Sequence, residues 1–318
     1  MANSELIKKL ITAHYENDSI KFRSAVLQIA AAESTAGHAN LAESLKNLAK
    51  KGNANTSIYQ IKPADGLCDV VIPDNQESEL VLSEDVRIRL ERILNEYRQR
   101  EKLRSYGLKN RTKILLEGEP GTGKTLTATV LAGELQIPLY IVQMDKLITK
   151  FMGETSAKLR TIFEQIYSAR GVYLFDEFDA IGADRSLDNE VGEMRRILNT
   201  FLKFMEDDES DSIILAATNN KKMLDNALFR RFDDVLHYTL PDESQIRRLF
   251  EMKLSSYYEP YIITEKVIES AKGLSHAEIT RVCEECLKNV ILTDGKLTSE
   301  MIMGYLCERT ASYEIKGA

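Results

Sequence analysis

The sequence predicts an α/β protein: a parallel five-stranded sheet with helices on both faces, an all-helical C-terminal subdomain and a small N-terminal helical bundle. Short runs of continuous apolar residues, typical of strands buried on both faces, alternate with helical patterns along the middle of the chain. These predicted strands are residues 113–117, 139–142, 172–175, 213–216 and 235–238. After Pro241 the apolar residues recur only at helical spacing, so no further strand is expected.

The same patterns divide the chain into four predicted segments. Residues 1–52 hold three amphipathic helical patterns and form the bundle, while residues 53–81 form a polar linker. Residues 82–241 form the α/β domain, and residues 242–318 form a helical lid subdomain. Inside the linker, Val70-Val71-Ile72 is either an edge strand or an apolar anchor. The bundle either stabilises the chain or docks a partner or substrate protein, and we expect the second role.

Composition and charge limit the classes of partner. Lysine and arginine number 42 against 49 acidic residues, which gives a net charge of −7 over 318 residues. A nucleic-acid-binding protein normally carries a basic excess or a basic stripe, so nucleic acid is not the expected partner. No apolar run approaches the ~20 residues of a membrane-spanning helix, and the first residues lack the apolar core of a secretory signal. A cytoplasmic location is therefore expected.

The cysteines also bear on the compartment. Cys68, Cys283, Cys286 and Cys307 are too few in so long a chain to form a disulfide scaffold. Cys283 and Cys286 form a C-x-x-C pair, but they lie inside a helical pattern rather than at the start of a helix that follows a strand. Two reduced thiols on a helix are therefore favoured over a redox or metal site, which agrees with a reducing cytoplasm.

A glycine-rich turn lies between the first predicted strand and the helix after it. Residues 118–125 fit the pattern G-x-x-x-x-G-K-[ST], in which backbone N–H groups surround nucleotide phosphates at a helix N-terminus. Lys124 is expected to reach the β- and γ-phosphates of ATP, and the Thr125 hydroxyl is expected to bind Mg²⁺. With the predicted sheet, this turn indicates the P-loop nucleoside triphosphatase fold. The predicted nucleotide-binding residues here are Glu119, Pro120, Gly121, Thr122, Gly123, Lys124, Thr125 and Leu126.

Polar residues follow two further strands at the same predicted edge of the sheet. Asp176 ends the third predicted strand, where a carboxylate can hold Mg²⁺ through its water shell, so Thr125 and Asp176 are the predicted metal-binding residues. Glu177 has no metal to bind and can polarise the attacking water as general base. Asp179 is interpreted as a surface or capping carboxylate. Asn219 follows the next strand and is expected to orient the water, the alternative being a simple turn residue.

Two arginines, Arg230 and Arg231, precede the last predicted strand. They are either a solvated charge cluster or arginine fingers, which stabilise negative charge on the γ-phosphate bound by a neighbouring subunit. Such a finger can be worth roughly 10³–10⁵ in rate. If the arginines are fingers, the predicted catalytic residues are Glu177, Asn219, Arg230 and Arg231.

From about Leu82 to the C-terminus, the chain resembles the AAA family of ATPases. The phosphate loop (Walker A), the run from Tyr173 to Glu177 (Walker B), Asn219 (sensor 1) and the paired arginines occur in the order typical of that family. The resemblance implies ATP and Mg²⁺ as cofactors and ATP hydrolysis as the activity. It also implies a hexameric ring of identical subunits with ATP bound at the subunit interfaces and the arginines acting on the neighbouring site.

The resemblance also implies a central pore. The stretch Phe151-Met152-Gly153-Glu154-Thr155 is similar to the family's first pore loop, in which Phe151 and Met152 would project into the channel and grip a polypeptide. Taken alone, Phe151 could equally be a buried aromatic residue. Residues 183–192 resemble the second pore loop. The implied partner is a protein substrate.

Three features narrow the resemblance or depart from it. The paired arginines are adjacent and run directly into Phe232, a form that resembles the branch containing katanin and spastin. In residues 273–278, His276 stands where the family has glycine, and it either contacts the adenine or ribose or caps the helix that begins there. Residues 21–30 resemble compact bacterial AAA proteins encoded beside a subtilisin-like serine protease, which adds a protease to the expected partners.

The favoured function is ATP-driven remodelling, threading or disassembly of a protein substrate by an oligomeric ring. A second hypothesis is a regulatory switch, in which ATP binding and ring assembly control a partner such as a protease. A nucleic-acid-acting ATPase such as a clamp loader is disfavoured by the acidic charge balance and by the aromatic residue of the predicted pore loop.

Overall fold

A computed structural model describes most of the chain. The described residues are 19–35, 66–148, 152–181, 188–219, 229–255 and 261–314, together with 6, 8, 9, 11, 38, 41, 43–45, 257 and 259. The chain divides into two compact units, residues 1–60 and residues 61–318. Within the described ranges, no helix has both the length and the apolar character needed to cross a lipid bilayer.

In the N-terminal unit, α1 (Ser19–Thr35) lies where the second amphipathic pattern predicts a helix. The side chains of Ala25 and Ala30 are buried. Three residues after the end of α1, His38 Nδ1 lies 2.6 Å from the carboxylate of Glu33, a buried residue of that helix. Much of the first and third predicted patterns, and all of residues 46–65, lie outside the described residues.

The larger unit is built on a sheet that has six strands within the described ranges. They are β1 (Cys68–Val71), β2 (Lys113–Gly118), β3 (Leu139–Val142), β4 (Val172–Phe175), β5 (Ile213–Thr218) and β6 (Asp234–Tyr238). Every residue of β4 and β5 is buried. Burial on both faces explains why these strands have continuous apolar sequences without alternation.

The strand order in the sheet is β1-β3-β4-β5-β2-β6. Strands β2 to β6 are parallel, which confirms the predicted parallel sheet of five strands. The prediction is corrected at one edge, where β1 pairs with β3 in the antiparallel direction and makes a sixth strand. Only Cys68 of β1 is fully buried, so this edge strand has only a short apolar signal in the sequence. Of the two alternatives for Val70 and Val71, the edge strand is therefore correct.

Helices cover both faces of this sheet. They are α2 (Glu84–Arg98), α3 (Arg100–Ser105), α4 (Lys124–Leu135), α5 (Met144–Leu147), α6 (Met152–Ser168) and α7 (Asp188–Asp207). On one face, α6 and α7 pack through aromatic rings: Phe201 lies 5.6 Å from Phe163 and 4.9 Å from Phe175 between ring centroids, both edge-on. On the other face, α4 contacts β2 to β5 and α2 lies beside it.

After β6 the chain is helical, as predicted, with α8 (Glu243–Lys253), α9 (Glu265–Ala271), α10 (His276–Thr293) and α11 (Ser299–Glu314). The side chains of Asp242, Thr264 and Ser275 cap α8, α9 and α10 by accepting a backbone N–H from the first turn. These helices enclose a second apolar core. Cys286 is buried in it, and burial raises the pKa of its thiol to about 12, as expected for a reduced thiol without redox reactivity.

Candidate functional site

The phosphate loop connects β2 to α4 at the carboxyl edge of the sheet. Its backbone takes left-handed turns at Gly121, where φ is +73°, and at Gly123, where φ is +101°, and only glycine adopts these turns without strain. The Thr122 hydroxyl donates a hydrogen bond to the carbonyl oxygen of Glu119 at 2.7 Å and closes the loop on itself. The loop is followed at once by the first turn of α4, whose unpaired N–H groups favour an anion.

Lys124 is held beneath this loop. Its Nζ donates to the carbonyl oxygens of Gly118 at 2.7 Å and Glu119 at 2.9 Å. Burial lowers the pKa of Lys124, and the negative charges of Asp176, Asp179 and Glu119 act in the opposite direction. A phosphate in the loop would supply the anionic partner that a buried ammonium group lacks when it contacts only carbonyl oxygens.

Thr125 and Asp176 meet at the edge of the sheet. The Thr125 hydroxyl donates to Oδ2 of Asp176 at 2.7 Å, although 51 residues separate them in sequence. The contact arises because β4 and β2 both run parallel to β5 and end at the same edge. A hydroxyl and a carboxylate oxygen so placed are a partial ligand set for Mg²⁺.

Glu177 has an unusual backbone. Its φ is +51°, in the left-handed region where a residue with a Cβ is strained by about 1–2 kcal/mol. The Glu177 amide donates to Oδ1 of Asp176 at 2.9 Å, which holds this conformation. The Glu177 side chain is exposed at the open edge of the sheet, beside the predicted metal ligand. A strained backbone at the predicted general base fits a functional residue.

Asn219 follows β5 and is exposed, as its predicted role requires. Its backbone N–H lies 3.4 Å from Oδ1 of Asp179, in the short 3₁₀ turn Phe178–Ile181. The interpretation of Asp179 as a surface or capping carboxylate therefore misses its contact with the segment that carries Asn219. Asp179 lies four residues after the end of β4, and its position in the sequence does not predict this contact. The contact depends on β4 and β5 being neighbours in the sheet.

The paired arginines differ in their surroundings. Arg231 Nη1 lies 3.0 Å from a carboxylate oxygen of Glu206, near the end of α7. Arg230 is exposed, and no hydrogen bond or ion pair joins it to any other residue in the described ranges. The sequence does not indicate that only Arg231 forms an ion pair. Its partner Glu206 lies 25 positions earlier and comes close only in the folded chain.

A cavity of about 550 Å³ adjoins the phosphate loop. Of the predicted residues, Pro120 to Leu126, Asp176, Glu177 and Asn219 line it, whereas Glu119 does not. The segment from Leu80 to Leu82 and parts of α8 and α10 complete the lining. Its volume lies within the range of roughly 300–1,000 Å³ that is typical of small-molecule sites. Leu80 to Leu82 were not among the predicted site residues. The apolar run that they form at the end of the predicted linker is the sequence feature that could have indicated them.

His276 lies in the wall of this cavity. Both ring nitrogens are buried without a hydrogen-bond partner of normal geometry, although the Val81 backbone lies near. Burial lowers the pKa of His276, and the smaller effect of Val81 raises it. The cap of α10 is Ser275, which accepts the Glu278 amide, so the alternative that His276 is the capping residue is wrong. An unpaired polar group facing a cavity fits contact with a ligand.

The cavity and loop together fit ATP with Mg²⁺. Lys124 and the N-terminal turn of α4 provide positive charge for the phosphates, and Thr125 and Asp176 provide oxygen ligands for the metal. Beyond the loop, the cavity is lined by the side chains of Leu80, Leu82 and Leu249, which suit the flat apolar face of a base.

Part of the predicted pore cannot be compared with the structure. Phe151 and residues 183–187 lie outside the described residues. Met152 is the first residue of α6, and its side chain is not described. Position alone places the start of α6 after β3 and α5, on the face of the sheet that α7 also covers.

The strand β2, the glycine turn and the helix α4, with an acidic residue after β4, which only β5 separates from β2, define a P-loop nucleotide-binding protein. Residues 114–240 match the family described as "ATPase family associated with various cellular activities (AAA)". An uncharacterized AAA family ATPase of Sinorhizobium fredii, y4kL, is 33% identical over 313 residues, which cover 94% of this chain and 93% of the relative. This chain therefore belongs to the AAA family of ATPases.

Two relatives that match a smaller share of the chain carry more specific names. A putative 26S proteasome regulatory subunit homolog of Methanothermobacter marburgensis is 28% identical over 266 residues, covering 82% of this chain and 71% of that protein. The ATP-dependent zinc metalloprotease FtsH of Parabacteroides distasonis is 34% identical over 205 residues, covering 62% of this chain and 30% of that protein.

Proposed function

We propose that this chain binds and hydrolyses ATP with Mg²⁺ at the phosphate loop. The observation that carries the proposal is the 2.7 Å hydrogen bond between Thr125 and Asp176. Two oxygen ligands suited to Mg²⁺ meet there beside a buried lysine. Neither the packing of the strands nor the closure of the loop requires Thr125 and Asp176 to be in contact. Membership of the AAA family supports the same activity.

Each residue has a distinct part in the proposed reaction. Lys124 and the loop N–H groups bind the phosphates, while Thr125 and Asp176 hold the metal, which neutralises phosphate charge when bound. The carboxylate of Glu177 accepts the proton of the attacking water. The amide side chain of Asn219 orients that water. The carboxylate of Asp179 positions Asn219 by accepting the backbone N–H of Asn219.

We further propose that the active site is completed by a neighbouring subunit in a homo-oligomeric ring, a hexamer as the family resemblance implies. Arg230 supports this proposal because it is exposed and has no polar partner within the described ranges of its own chain. A guanidinium group in that state is available to an external anion such as a γ-phosphate. The adjacency of Arg230 and Arg231 supports a position near the katanin and spastin branch.

The work driven by hydrolysis is proposed to be remodelling or threading of a protein substrate. Support comes from the resemblance of Phe151 and Met152 to a pore loop. The names of two relatives, a proteasome regulatory subunit homolog and an ATP-dependent protease, also point to protein substrates. Those names equally favour a second candidate function, in which the ring acts as an ATP-dependent switch on a partner protease.

Binding of an unfolded polypeptide distinguishes these two functions. In a Glu177→Gln background with ATP, we expect labelled casein to bind, and Phe151→Ala to weaken that binding about tenfold, since one aromatic contact is worth roughly 1–2 kcal/mol. Tyr167→Ala is the matched control, because Tyr167 is an exposed aromatic residue at the other end of α6. Casein binding that is equal in all three proteins would contradict threading and favour the switch.

A further inference from the structure

The N-terminus of α10 touches the phosphate loop directly. The Ala277 amide donates to the carbonyl oxygen of Gly121 at 2.9 Å. A Cβ built on Gly121 would lie 2.6 Å from the Ser275 hydroxyl and 3.1 Å from the Ala277 methyl group. The Ala277 amide is one of the helix-terminal N–H groups that no residue of its own helix can satisfy. The loop therefore satisfies a free end of the lid helix, and any displacement of that end disturbs the loop.

Glu278 lies in the first turn of α10, three residues after its cap. Ser275 accepts the Glu278 amide at 3.3 Å. With serine as the cap and glutamate at this spacing, the carboxylate would usually bond back to the amide of the cap. Here it pairs with Arg309 of α11 instead: Nη2 donates to Oε1 at 3.2 Å, and Nε donates to Oε2. The Glu278 side chain is 11% exposed, so its carboxylate is largely shielded from solvent.

The pair between Arg309 and Glu278 is directional. A guanidinium group that donates from two nitrogens to both oxygens of a carboxylate fixes orientation as well as distance. Arg281 also approaches Glu278, but at 3.8 Å and with an exposed side chain, so it fixes little. Because a single helical turn is rigid, an orientation imposed on Glu278 is transmitted to Ala277 and His276, which are one and two residues earlier.

We propose that Arg309 is a positioning residue for nucleotide binding: through Glu278 it holds the start of α10 against Gly121. The helix α11 at the end of the described chain thereby sets how well the phosphate loop is preorganised for ATP. This inference rests on the proposed binding of ATP at the loop. Arg309 itself does not line the cavity, so its effect on ATP is transmitted through α10.

Direct nucleotide titration tests the proposal. Arg309→Gln and Glu278→Gln each abolish the ion pair; Glu278→Gln keeps the side-chain length, and Arg309→Gln shortens it. For both variants we expect the Kd of a fluorescent ATP analogue and the KM for ATP to rise about 5- to 20-fold, the usual size of coupling between sites. The kcat at saturating ATP should stay within about twofold, because the reacting groups are unchanged. The control is Lys288→Gln, which removes the exposed pair with Glu285 about 15 Å further along α10; it should leave the Kd unchanged.

The outcomes separate three cases. In the first case, the thermal midpoint of the variants falls in the absence of nucleotide, but either folded variant keeps the wild-type Kd. The ion pair would then be only structural, which would overturn the proposal. A Kd that rises equally in the Lys288 control would overturn it too, since any loss of charge on α10 would then suffice. Failure of the wild-type protein to bind ATP would contradict the proposed function itself, a result distinct from either of these.

Discussion

Arg231 and Glu206 form an ion pair at 3.0 Å within one subunit, whereas the adjacent Arg230 has no polar partner in the described part of that subunit. Two neighbouring arginines that look identical in the sequence therefore have different availability. Arg230 is available to an anion outside its own chain, whereas Arg231 must first break its ion pair with Glu206. This difference leads to a prediction about which arginine matters more.

Arg230→Ala is expected to lower kcat by about 10³-fold or more, because it removes the guanidinium group that we propose acts on the γ-phosphate of the next subunit. Arg231→Ala should lower kcat less. Steady-state ATP turnover measures both. The trans arrangement itself is tested by mixing Arg230→Ala subunits with Lys124→Ala subunits. Each alone should be inactive, but the mixture should regain turnover at interfaces that combine an intact Lys124 with an intact Arg230.

Glu206→Gln is the matched control for the arginine experiment. It releases Arg231 without removing either guanidinium group. Because the ion pair is partly exposed, its loss should change stability by no more than about 1 kcal/mol. No regained activity in mixtures that demonstrably co-assemble would contradict the trans role of Arg230.

The strain at Glu177 gives a prediction about stability. Both Glu177→Gly and Glu177→Ala remove the carboxylate, but only glycine relieves a φ of +51°. Relief of roughly 1–2 kcal/mol, less the ~0.4–1 kcal/mol by which glycine favours the unfolded chain, should make the glycine variant about 0.5–1 kcal/mol more stable. Denaturant unfolding measures this difference.

An ordinary helical position supplies the control for the strain. At Glu164, exposed within α6, alanine should be the more stable substitution, by about 1 kcal/mol. The same order at both positions would contradict strain at Glu177.

The buried His276 predicts a dependence of stability on pH. Its pKa in the folded protein lies below the ordinary value of 6.5, chiefly because of burial. Above pH 6.5 both folded and unfolded states carry a neutral ring. As pH falls below 6.5, the unfolded chain takes up a proton that the folded state resists, so stability is lost down to the folded pKa. Comparing unfolding of the wild type and His276→Gln at pH 7.5 and 5.5 should show the larger loss in the wild type, by up to about 1.4 kcal/mol per pH unit.

The contact between Thr125 and Asp176 predicts a specific metal defect. Thr125→Ala should raise the Mg²⁺ concentration needed for half-maximal turnover about tenfold or more, because one oxygen ligand is lost. Thr125→Ser keeps the hydroxyl that lies 2.7 Å from Asp176 and should behave nearly as the wild type. A magnesium titration at fixed ATP measures both. Equal requirements in the alanine and serine variants would show that the hydroxyl does not bind the metal.

Sequence patterns were sufficient for the features that arise locally. Continuous apolar runs predicted the parallel strands, and the glycine turn with Lys124 predicted the loop and the start of α4. The edge strand β1 stayed ambiguous, since only Cys68 of its residues is fully buried and the apolar signal is correspondingly short.

Contacts between distant segments could not be predicted in this way. The pairs of Asp179 with Asn219, Arg231 with Glu206, and Glu278 with Arg309 join elements that only the folded sheet and lid bring together. For Asp179, Glu206, Glu278 and Arg309 a solvated charge is the simplest interpretation of the sequence, because exposed charges are common and carry no periodic signal. Asn219 and Arg231 were predicted to be catalytic, but the sequence does not indicate their partners.

Glu177 is the proposed general base for ATP hydrolysis by this chain. The most direct test measures phosphate release and ATP binding in parallel for the wild type and Glu177→Gln. ATP should bind both proteins with similar Kd, while turnover of the variant should fall by about 10²–10⁴-fold. Undiminished phosphate release by Glu177→Gln, or a wild-type protein that binds ATP and never releases phosphate, would contradict this proposal.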